Sequence, residues 1–307
     1  MTKDFLLPLI RAALAEDIGT GDITSELLIP ADLQARMAFV ARQELVLAGA
    51  EVPGLVYSSL RAAGEAIQPS ENWIAASAMP PHNDVVVKTH MHDGQRLKAG
   101  TVIATVSGPA RAILTGERTA LNLMQRMSGV ATLTRKYVDA VAGTKAKILD
   151  TRKTMPGLRL ADKYAVRMGG GMNHRMGLYD AVLVKDNHIG IRQEAGSMSE
   201  LVKNTRTQIT SLLPHASGPM PIFVECDTLE QVAQAIDAAP DRIMLDNMSL
   251  DMLREAVALA AGKVPLEATG GVTLSNVRDV AETGVDYISV GAITHSAPAV
   301  DIALDVI

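Results

Sequence analysis

The sequence has little of what several classes of protein require. Cys226 is the single cysteine among 307 residues, so no disulfide can form within the chain, which fits a reducing compartment. Aromatic residues make up 3% of the chain and leave few rings on which single-stranded nucleic acid could stack. The formal net charge is −5, so the overall basic balance on which nucleic-acid binders depend is missing.

Long apolar runs are also missing. No uninterrupted stretch of about 18 apolar residues occurs, which is the length that a membrane-spanning helix needs. The apolar residues 5–10 form too short a run for a secretory signal. We therefore expect a soluble, cytoplasmic protein that binds neither nucleic acid nor a membrane. The hydrophobic share of 48% is typical of a globular protein with a real core.

The pattern of apolar residues changes along the chain. Residues 1–116 mix short alternating strands, turns and a helix, and they predict an α+β module. A long amphipathic helix is expected next, with Glu117 and Arg118 at its start and Gly143 at its end. After residue 145, apolar strands that end in polar residues alternate with helices. Such β–α units at even spacing predict a parallel sheet, and enough of them predict a barrel.

In a barrel of this kind the carboxyl ends of the strands share one face, where active sites lie. The polar and glycine residues at the predicted strand ends should therefore converge there. They are Arg152, Lys153, Lys185, Glu225, Asp246, Thr269, Gly270, Gly271 and Gly291.

Cations dominate this set. Gly169, Gly170 and Gly171 precede His174 and Arg175, and three glycines allow a close approach of the backbone to a ligand. Together with Arg152, Lys153 and Lys185 these side chains would repel one another unless an anion neutralised them. We therefore predict a ligand with several negative charges. Carboxylates would suit this site, because Arg forms forked contacts to them.

The glycines and acids of the set suggest further contacts. Gly270, Gly271 and Gly291 come before predicted helices, and late barrel loops often bind phosphate. Glu225 and Asp246 could hold Mg²⁺ through their oxygens, bind ribose hydroxyls or stabilise a developing positive charge. They could also form ion pairs that only neutralise the lysines.

The motifs together resemble the quinolinate phosphoribosyltransferase family, and the resemblance covers nearly the whole chain. It rests on residues 117–122, 149–154, 156–159, 163–167, 169–175, 179–188, 245–247 and 266–271. The resemblance implies an N-terminal α/β sandwich domain over residues 1–116 and an incomplete, seven-stranded α/β barrel over residues 117–296. Residues 297–307 would return to the first domain.

The resemblance also implies an activity and an assembly. Quinolinate and phosphoribosyl pyrophosphate would give nicotinate mononucleotide, pyrophosphate and CO₂, with Mg²⁺ as cofactor, in NAD biosynthesis. The enzyme would be a head-to-tail homodimer, or a larger assembly of such dimers, in which the N-terminal domain of one subunit covers the barrel mouth of the other.

Roles carry over position by position as implications of the resemblance. Arg118 would reach the quinolinate pocket of the other subunit. Thr151 would join the substrate-binding residues, and Arg152, His174, Arg175 and Lys185 would surround the two carboxylates. Lys153 would lie beside them near the pyrophosphate, and Glu225 and Asp246 would serve the ribose and the metal. The 5′-phosphate would be bound by Thr269, Gly270, Gly271, Val290, Gly291 and Ala292. Lys153, Lys185, Glu225 and Asp246 would be the catalytic residues.

Three other interpretations stay open at this point. A homologue of the same fold associated with molybdate transport would share many of these motifs. A Schiff-base aldolase would use Lys185 as its nucleophile. A non-catalytic anion-binding protein would need the cations but would gain nothing from the two acids.

Overall fold

The computed structural model describes residues 3–66, 84–185, 198–212 and 220–307. The chain divides into two compact units. The first comprises residues 1–133, 155–170 and 297–307, and the second comprises residues 134–154 and 171–296. Within the described ranges, no helix combines the length and the apolar character that a membrane span requires.

The first unit is built around a four-stranded antiparallel sheet. Its strand order is β12-β1-β5-β3, so the C-terminal strand pairs with the first strand of the chain, with Phe39 opposite Leu304. The second half of β1 is buried, which matches its apolar residues from Met37 onward. The strands are β1 (Gln34–Ala41), β3 (Val86–Thr89), β5 (Val102–Pro109) and β12 (Ile302–Val306), beside a two-stranded sheet of β2 (Leu45–Val46) and β4 (Arg96–Leu97).

Helices accompany this sheet. After a 3-10 helix (Lys3–Leu6) come α1 (Leu7–Ile18), α2 (Ile23–Leu28), α3 (Val52–Ala66), α4 (Ala110–Ala140) and α5 (Arg159–Met168). The residues of α4 up to 133 belong to the first unit. Helix α2 starts where the Asp22 carboxylate accepts a hydrogen bond from the Ser25 backbone N–H at 3.0 Å, which satisfies an N-terminal donor.

The expected start of the long helix at Glu117 and Arg118 is wrong. Helix α4 begins at Ala110, directly after Pro109 ends β5. Gly116 interrupts the apolar pattern there, yet it lies within the helix. A Cβ at Gly116 would lie 2.6 Å from Cε1 of Tyr57 on α3, so only glycine lets the two helices approach. The predicted domain boundary between residues 116 and 117 falls inside α4 and stays a prediction.

The second unit contains a parallel sheet of six strands in the order β6-β11-β10-β9-β8-β7. The first strand of the unit therefore lies beside the last one, as in a barrel. The strands are β6 (Lys147–Leu149), β7 (Val182–Val184), β8 (Ile222–Cys226), β9 (Arg242–Asp246), β10 (Leu266–Thr269) and β11 (Tyr287–Ser289). The helices are α6 (Met198–Leu212), α7 (Leu229–Ala238), α8 (Leu250–Ala260), α9 (Val277–Glu282) and α10 (Ala292–His295).

These β–α units confirm the predicted fold class, with one difference in strand number. Next to β6 the described residues contribute a single bridge, Leu149 to Met172, in place of a seventh strand. The Met172 N–H donates to Ile148 at 2.8 Å, and the Asp150 N–H donates to Met172 at 3.2 Å. The pairing ends there because Asn173 and the His174 backbone bond to the Asp150 side chain instead.

Candidate active site

The carboxyl ends of neighbouring strands bring the predicted site residues of the second unit to one edge of the sheet. Lys185 directly follows β7, Glu225 lies in β8, Asp246 ends β9 and Thr269 ends β10. Asp246 and Thr269 are opposite each other in the parallel ladder. Parallel strands make this inevitable, since they all end at the same edge.

Lys185 and Glu225 form an ion pair across two adjacent strands. Nζ of Lys185 donates to Oε2 of Glu225 at 2.6 Å. The Glu225 side chain is 9% exposed while that of Lys185 is 42% exposed, so the lysine still faces solvent. One of the two acids therefore forms an ion pair with a lysine, which is one of the alternatives that the sequence leaves open. The same pair places a cation and an anion together at the edge.

Arg175 lies in a crowded cationic environment. Its Nη1 donates to the Ala181 carbonyl at 3.0 Å, which holds the side chain at the beginning of β7. Burial and the nearby charge of Arg152 lower the pKa of the Arg175 guanidinium, and Asp180 partly opposes that shift. Mutual repulsion between two arginines is what a site prepared for an anion should show.

Lys153 and Gly291 meet where β6 and β11 end. A Cβ at Gly291 would lie 3.0 Å from Nε2 of His295 and 3.3 Å from Cδ of Lys153. Thr151 shapes the turn after β6, because its hydroxyl accepts from the Lys153 N–H at 3.0 Å. Val290 donates its N–H to Leu149 at 3.0 Å, and Gly291 and Ala292 begin the short helix α10.

The turn after β10 is equally tight. Gly270 has φ +87° and Gly271 has φ +63°. A Cβ at Gly270 would approach Oδ1 of Asn247 to 2.1 Å, so no side chain fits there. A cavity of about 320 Å³ opens beside Thr269, Gly270 and Gly271. Its lining includes Leu253 and Val280.

The interior beneath this edge contains polar groups that the sequence analysis did not select. Asp150 is fully buried, and its carboxylate accepts from Nδ2 of Asn173 at 2.6 Å and from the His174 N–H at 2.8 Å. Glu267, also fully buried, is paired with Arg242 at 2.7 Å. Burial raises the pKa of Glu267, and the charge of Arg242 and the hydroxyl of Ser289 oppose that shift.

A signal for these residues was present in the sequence. Glu267 stands between Leu266 and Ala268 inside an apolar strand, and an acid at such a position is rarely buried without a partner. Asp150 directly follows Ile148 and Leu149 in the same way.

Arg118 lies in the first unit, on helix α4, with an exposed side chain. The structure therefore does not place it within the second unit, where the other predicted site residues lie. Residues 186–188, the end of the motif over residues 179–188, lie outside the described residues.

Two carboxylates on neighbouring strands are the candidate ligands for a metal in the part of the chain that the structure describes. Among the residues that the structure describes, no group of three or more His, Cys, Asp or Glu side chains could hold an ion. Glu225 and Asp246 lie on adjacent strands β8 and β9. Two carboxylates suit Mg²⁺, which commonly takes one or two from the protein and completes its shell with water and substrate phosphates.

Comparisons with known proteins agree with this geometry. The model of the quinolinate phosphoribosyl transferase C-terminal domain matches residues 130–305, and that of the N-terminal domain matches residues 22–128. A probable nicotinate-nucleotide pyrophosphorylase [carboxylating] from Bacillus subtilis is 42% identical over 302 residues, covering 98% of this chain and 93% of that protein. The nicotinate-nucleotide pyrophosphorylase [carboxylating] of Mycobacterium leprae is 41% identical, covering 96% and 95%.

Solved structures give the same result. The nicotinate-nucleotide pyrophosphorylase of Francisella tularensis matches with a TM-score of 0.82 and 38% identity, over 100% of this chain and 98% of that one. The corresponding enzyme of Ehrlichia chaffeensis matches with a TM-score of 0.82 and 36% identity over 100% of both chains. The chain therefore belongs to the quinolinate phosphoribosyl transferase family.

Proposed function

We propose that the chain transfers the phosphoribosyl group of phosphoribosyl pyrophosphate to quinolinate with loss of CO₂, a step of NAD biosynthesis. The observation that carries this proposal is the meeting of cations and two acids at the strand ends of the second unit. Membership of the family supports it, since the similar proteins are named for this reaction.

Quinolinate carries two carboxylates, and the cationic side of the site suits them. Arg152, Arg175 and Lys185 would neutralise these groups, and His174 would help to place them. The charge of Arg152 lowers the pKa of Arg175. A dianion bound between the two side chains would therefore relieve a repulsion that is present in the structure. Lys153 would bind on the side of the departing pyrophosphate, next to Gly291.

The phosphoribosyl group would lie on the side of β8 to β11. Thr269, Gly270 and Gly271 would bind the 5′-phosphate through backbone N–H groups and a hydroxyl, together with Val290, Gly291 and Ala292. The lack of room for a Cβ at Gly270 and the tight space at Gly291 support a role in which the backbone itself approaches the ligand.

Glu225 and Asp246 would hold Mg²⁺ and face the ribose. The bond to Lys185 uses Oε2 of Glu225, and Oε1 is the oxygen that would bind the ligand. Bound between these carboxylates and substrate, Mg²⁺ would supply positive charge to the departing pyrophosphate. The two acids would also stabilise the positive charge that develops on the ribose ring as that bond breaks.

The reaction then proceeds in two steps. The pyridine nitrogen attacks the anomeric carbon, and the bond to pyrophosphate breaks with its electron pair on the pyrophosphate. The resulting pyridinium accepts the electron pair of the adjacent carbon–carboxylate bond, CO₂ leaves, and that carbon takes up a proton. Lys185 and the arginines hold the substrate in register during both steps.

The direct test is formation of nicotinate mononucleotide from quinolinate and phosphoribosyl pyrophosphate with Mg²⁺. Nicotinate is the matched control substrate, because it lacks one carboxylate and would leave cations of the site unneutralised. We expect kcat/KM for nicotinate to fall by about 10⁴-fold, as for sites that lose a charged or hydrogen-bonded partner. Comparable values for the two substrates would contradict the proposal.

The Schiff-base aldolase fits the geometry less well. Its nucleophile would be Nζ of Lys185, yet that atom donates to a carboxylate at 2.6 Å. Borohydride trapping with a carbonyl substrate would detect such a function. The same pyridine-nucleotide assay separates the proposed enzyme from a homologue associated with molybdate transport.

The assembly and location belong to the same proposal. A homodimer with shared active sites would bring Arg118 of one subunit to the barrel of the other, which its exposure on α4 permits. A cytoplasmic location stays a prediction.

A further inference from the structure

Glu267 is an acid in the middle of a barrel strand and is completely buried. Its two oxygens have different partners. Oε2 accepts from Nη1 of Arg242 at 2.7 Å, while Oε1 accepts from the hydroxyl of Ser289 and lies 3.6 Å from Nε2 of His174. A carboxylate buried in this way is costly unless it is fully partnered.

Arg242 fixes the orientation of that carboxylate. Its guanidinium lies 3.9 Å from the ring centre of Tyr287 and 4.8 Å from that of Phe223. A guanidinium held by two aromatic rings has little freedom to move. Oε2 of Glu267 is thereby directed toward Arg242, and Oε1 is directed toward Ser289 and His174.

The hydrogen bond to Nδ1 of His174 defines the tautomer of this residue. The Arg175 backbone N–H donates to Nδ1 at 2.7 Å, so Nδ1 carries no proton and the imidazole proton is on Nε2. Nε2 faces the Glu267 carboxylate at 3.6 Å. This separation is longer than that of a hydrogen bond. The N–H dipole of His174 is attracted to the charge of the Glu267 carboxylate. The rings of Phe223 and His174 are in an edge-to-face arrangement, with their centres 5.3 Å apart.

We propose that Glu267 is a positioning residue for the phosphoribosyl transfer: it holds His174 as the Nε2–H tautomer and, through Nδ1, fixes the backbone at Arg175. This inference rests on the proposed place of His174 and Arg175 in the quinolinate pocket. Glu267 acts from the barrel interior and touches no substrate.

The isosteric amide gives a sharp prediction. In Glu267→Gln the amide oxygen must face Arg242, so the NH₂ group faces Ser289 and His174. The Ser289 hydroxyl can rotate to accept, but Nε2–H of His174 would then oppose another donor. The other tautomer places Nδ1–H against the Arg175 N–H. Neither tautomer satisfies both ends of the ring, so the imidazole must move.

The experiment is ¹⁵N NMR of the histidine side chains in the full-length protein, with His174→Gln to assign the signal. In the wild type we expect a protonated Nε2 and an unprotonated Nδ1. In Glu267→Gln we expect this pattern to be lost and the KM for quinolinate to rise by about tenfold, the effect of one misdirected hydrogen bond to a charged group. Ser289→Ala is the matched control, because it removes a bond to the same Oε1 and leaves the charge facing His174; its tautomer should stay that of the wild type.

Each contrary outcome is decisive. A proton on Nδ1 in the wild type would overturn the proposal without any variant, even if Glu267→Gln failed to fold. An unchanged tautomer in folded Glu267→Gln would make Glu267 merely structural. A changed tautomer with an unchanged KM would overturn its part in the transfer. Failure of the proposed function itself appears separately, as a wild type that forms no nicotinate mononucleotide.

Discussion

Lys185 and Glu225 join the ends of strands β7 and β8 through an ion pair in which Nζ and Oε2 lie 2.6 Å apart. Glu225→Gln keeps the shape and removes the charge, as does Asp246→Asn on the next strand. We expect kcat to fall by about 10²-fold in either variant, the size typical of losing one electrostatic contact to a transition state. Steady-state kinetics should show a smaller change in the KM for quinolinate.

Asp227→Asn is the control for this prediction, because Asp227 is an exposed acid two residues after Glu225. Its loss changes the net charge equally but should leave turnover near the wild-type value. Wild-type turnover in both the Glu225 and Asp246 variants would contradict the assignment of the acids to the ribose and metal side.

Arg175 should determine quinolinate affinity more than stability. Arg175→Ala removes a forked cation and one hydrogen bond to Ala181, which costs about 1 kcal/mol of folding free energy. We expect a strongly raised KM for quinolinate with a small fall in Tm. Arg175→Lys keeps the charge without the fork and should give an intermediate KM. If Tm instead collapses together with activity, Arg175 is a structural residue.

Two adjacent glycines offer a matched pair of substitutions. In Gly270→Ala the new Cβ would meet Asn247 Oδ1 at 2.1 Å, whereas in Gly271→Ala it would meet nothing within 4 Å. Both have positive φ, so both variants carry backbone strain of about 1 kcal/mol. Only Gly270→Ala should raise the KM for phosphoribosyl pyrophosphate strongly. Equal changes in this KM in the two variants would mean that backbone strain, and not the close approach to Asn247, causes the effect.

Cys226 should be unreactive in the native protein. Burial, reinforced by Asp227 and Glu225, raises the pKa of this thiol to about 12. Because it is the single cysteine, alkylation reports on this site alone. Iodoacetamide at pH 8 should label the urea-unfolded chain and spare the native one. Rapid labelling under native conditions would contradict the burial.

The same shift has a definite sign in the stability of the protein. A raised folded-state pKa contributes stability that is complete below the unfolded value of about 9 and is lost as pH rises toward 12. The free energy of unfolding should therefore decrease over this range in the wild type. Cys226→Ala should lack that part of the decrease, which urea unfolding at several pH values would measure.

Strand ends could be predicted from the sequence because one local rule places them. Four of the predicted site residues each follow an apolar run: Lys185, Glu225, Asp246 and Thr269. Parallel strands bring such residues to one edge of the sheet without further information. The interior acids Asp150 and Glu267 could not be assigned in this way. Their partners, among them His174 and Arg242, are distant in the chain, and only the folded sheet brings them together.

Helix α4 shows the same limit at the level of packing. Gly116 breaks the local pattern, and nothing in the sequence says that Tyr57 occupies the space where its side chain would be. The strand count of the described residues differs from the predicted seven for a related reason. Asp150 accepts the bonds of Asn173 and of the His174 backbone, and the backbone pairing with β6 stops at Met172. Neither contact can be predicted from residue propensities or from the spacing of apolar residues.

Arg118 provides the test of shared active sites. It is exposed on α4 in the first unit, and the dimer would place it in the barrel of the neighbouring subunit. Arg118→Ala and Lys185→Ala should each be inactive alone, yet mixing them should restore activity. In a mixed dimer one pocket collects both defects and the other collects neither. Random exchange at equal amounts makes about half of the dimers mixed, so roughly a quarter of wild-type activity should return.

The control for this complementation is a mixture of Lys185→Ala with Glu225→Gln, two changes within the same unit. Every pocket of such a mixture carries one defect, so activity should stay at the level of the separate variants. Subunit exchange must be shown independently, for example by mass spectrometry of isotopically labelled chains. With exchange demonstrated, no recovery in the Arg118 mixture would mean that Arg118 acts within its own subunit or has no part in the site.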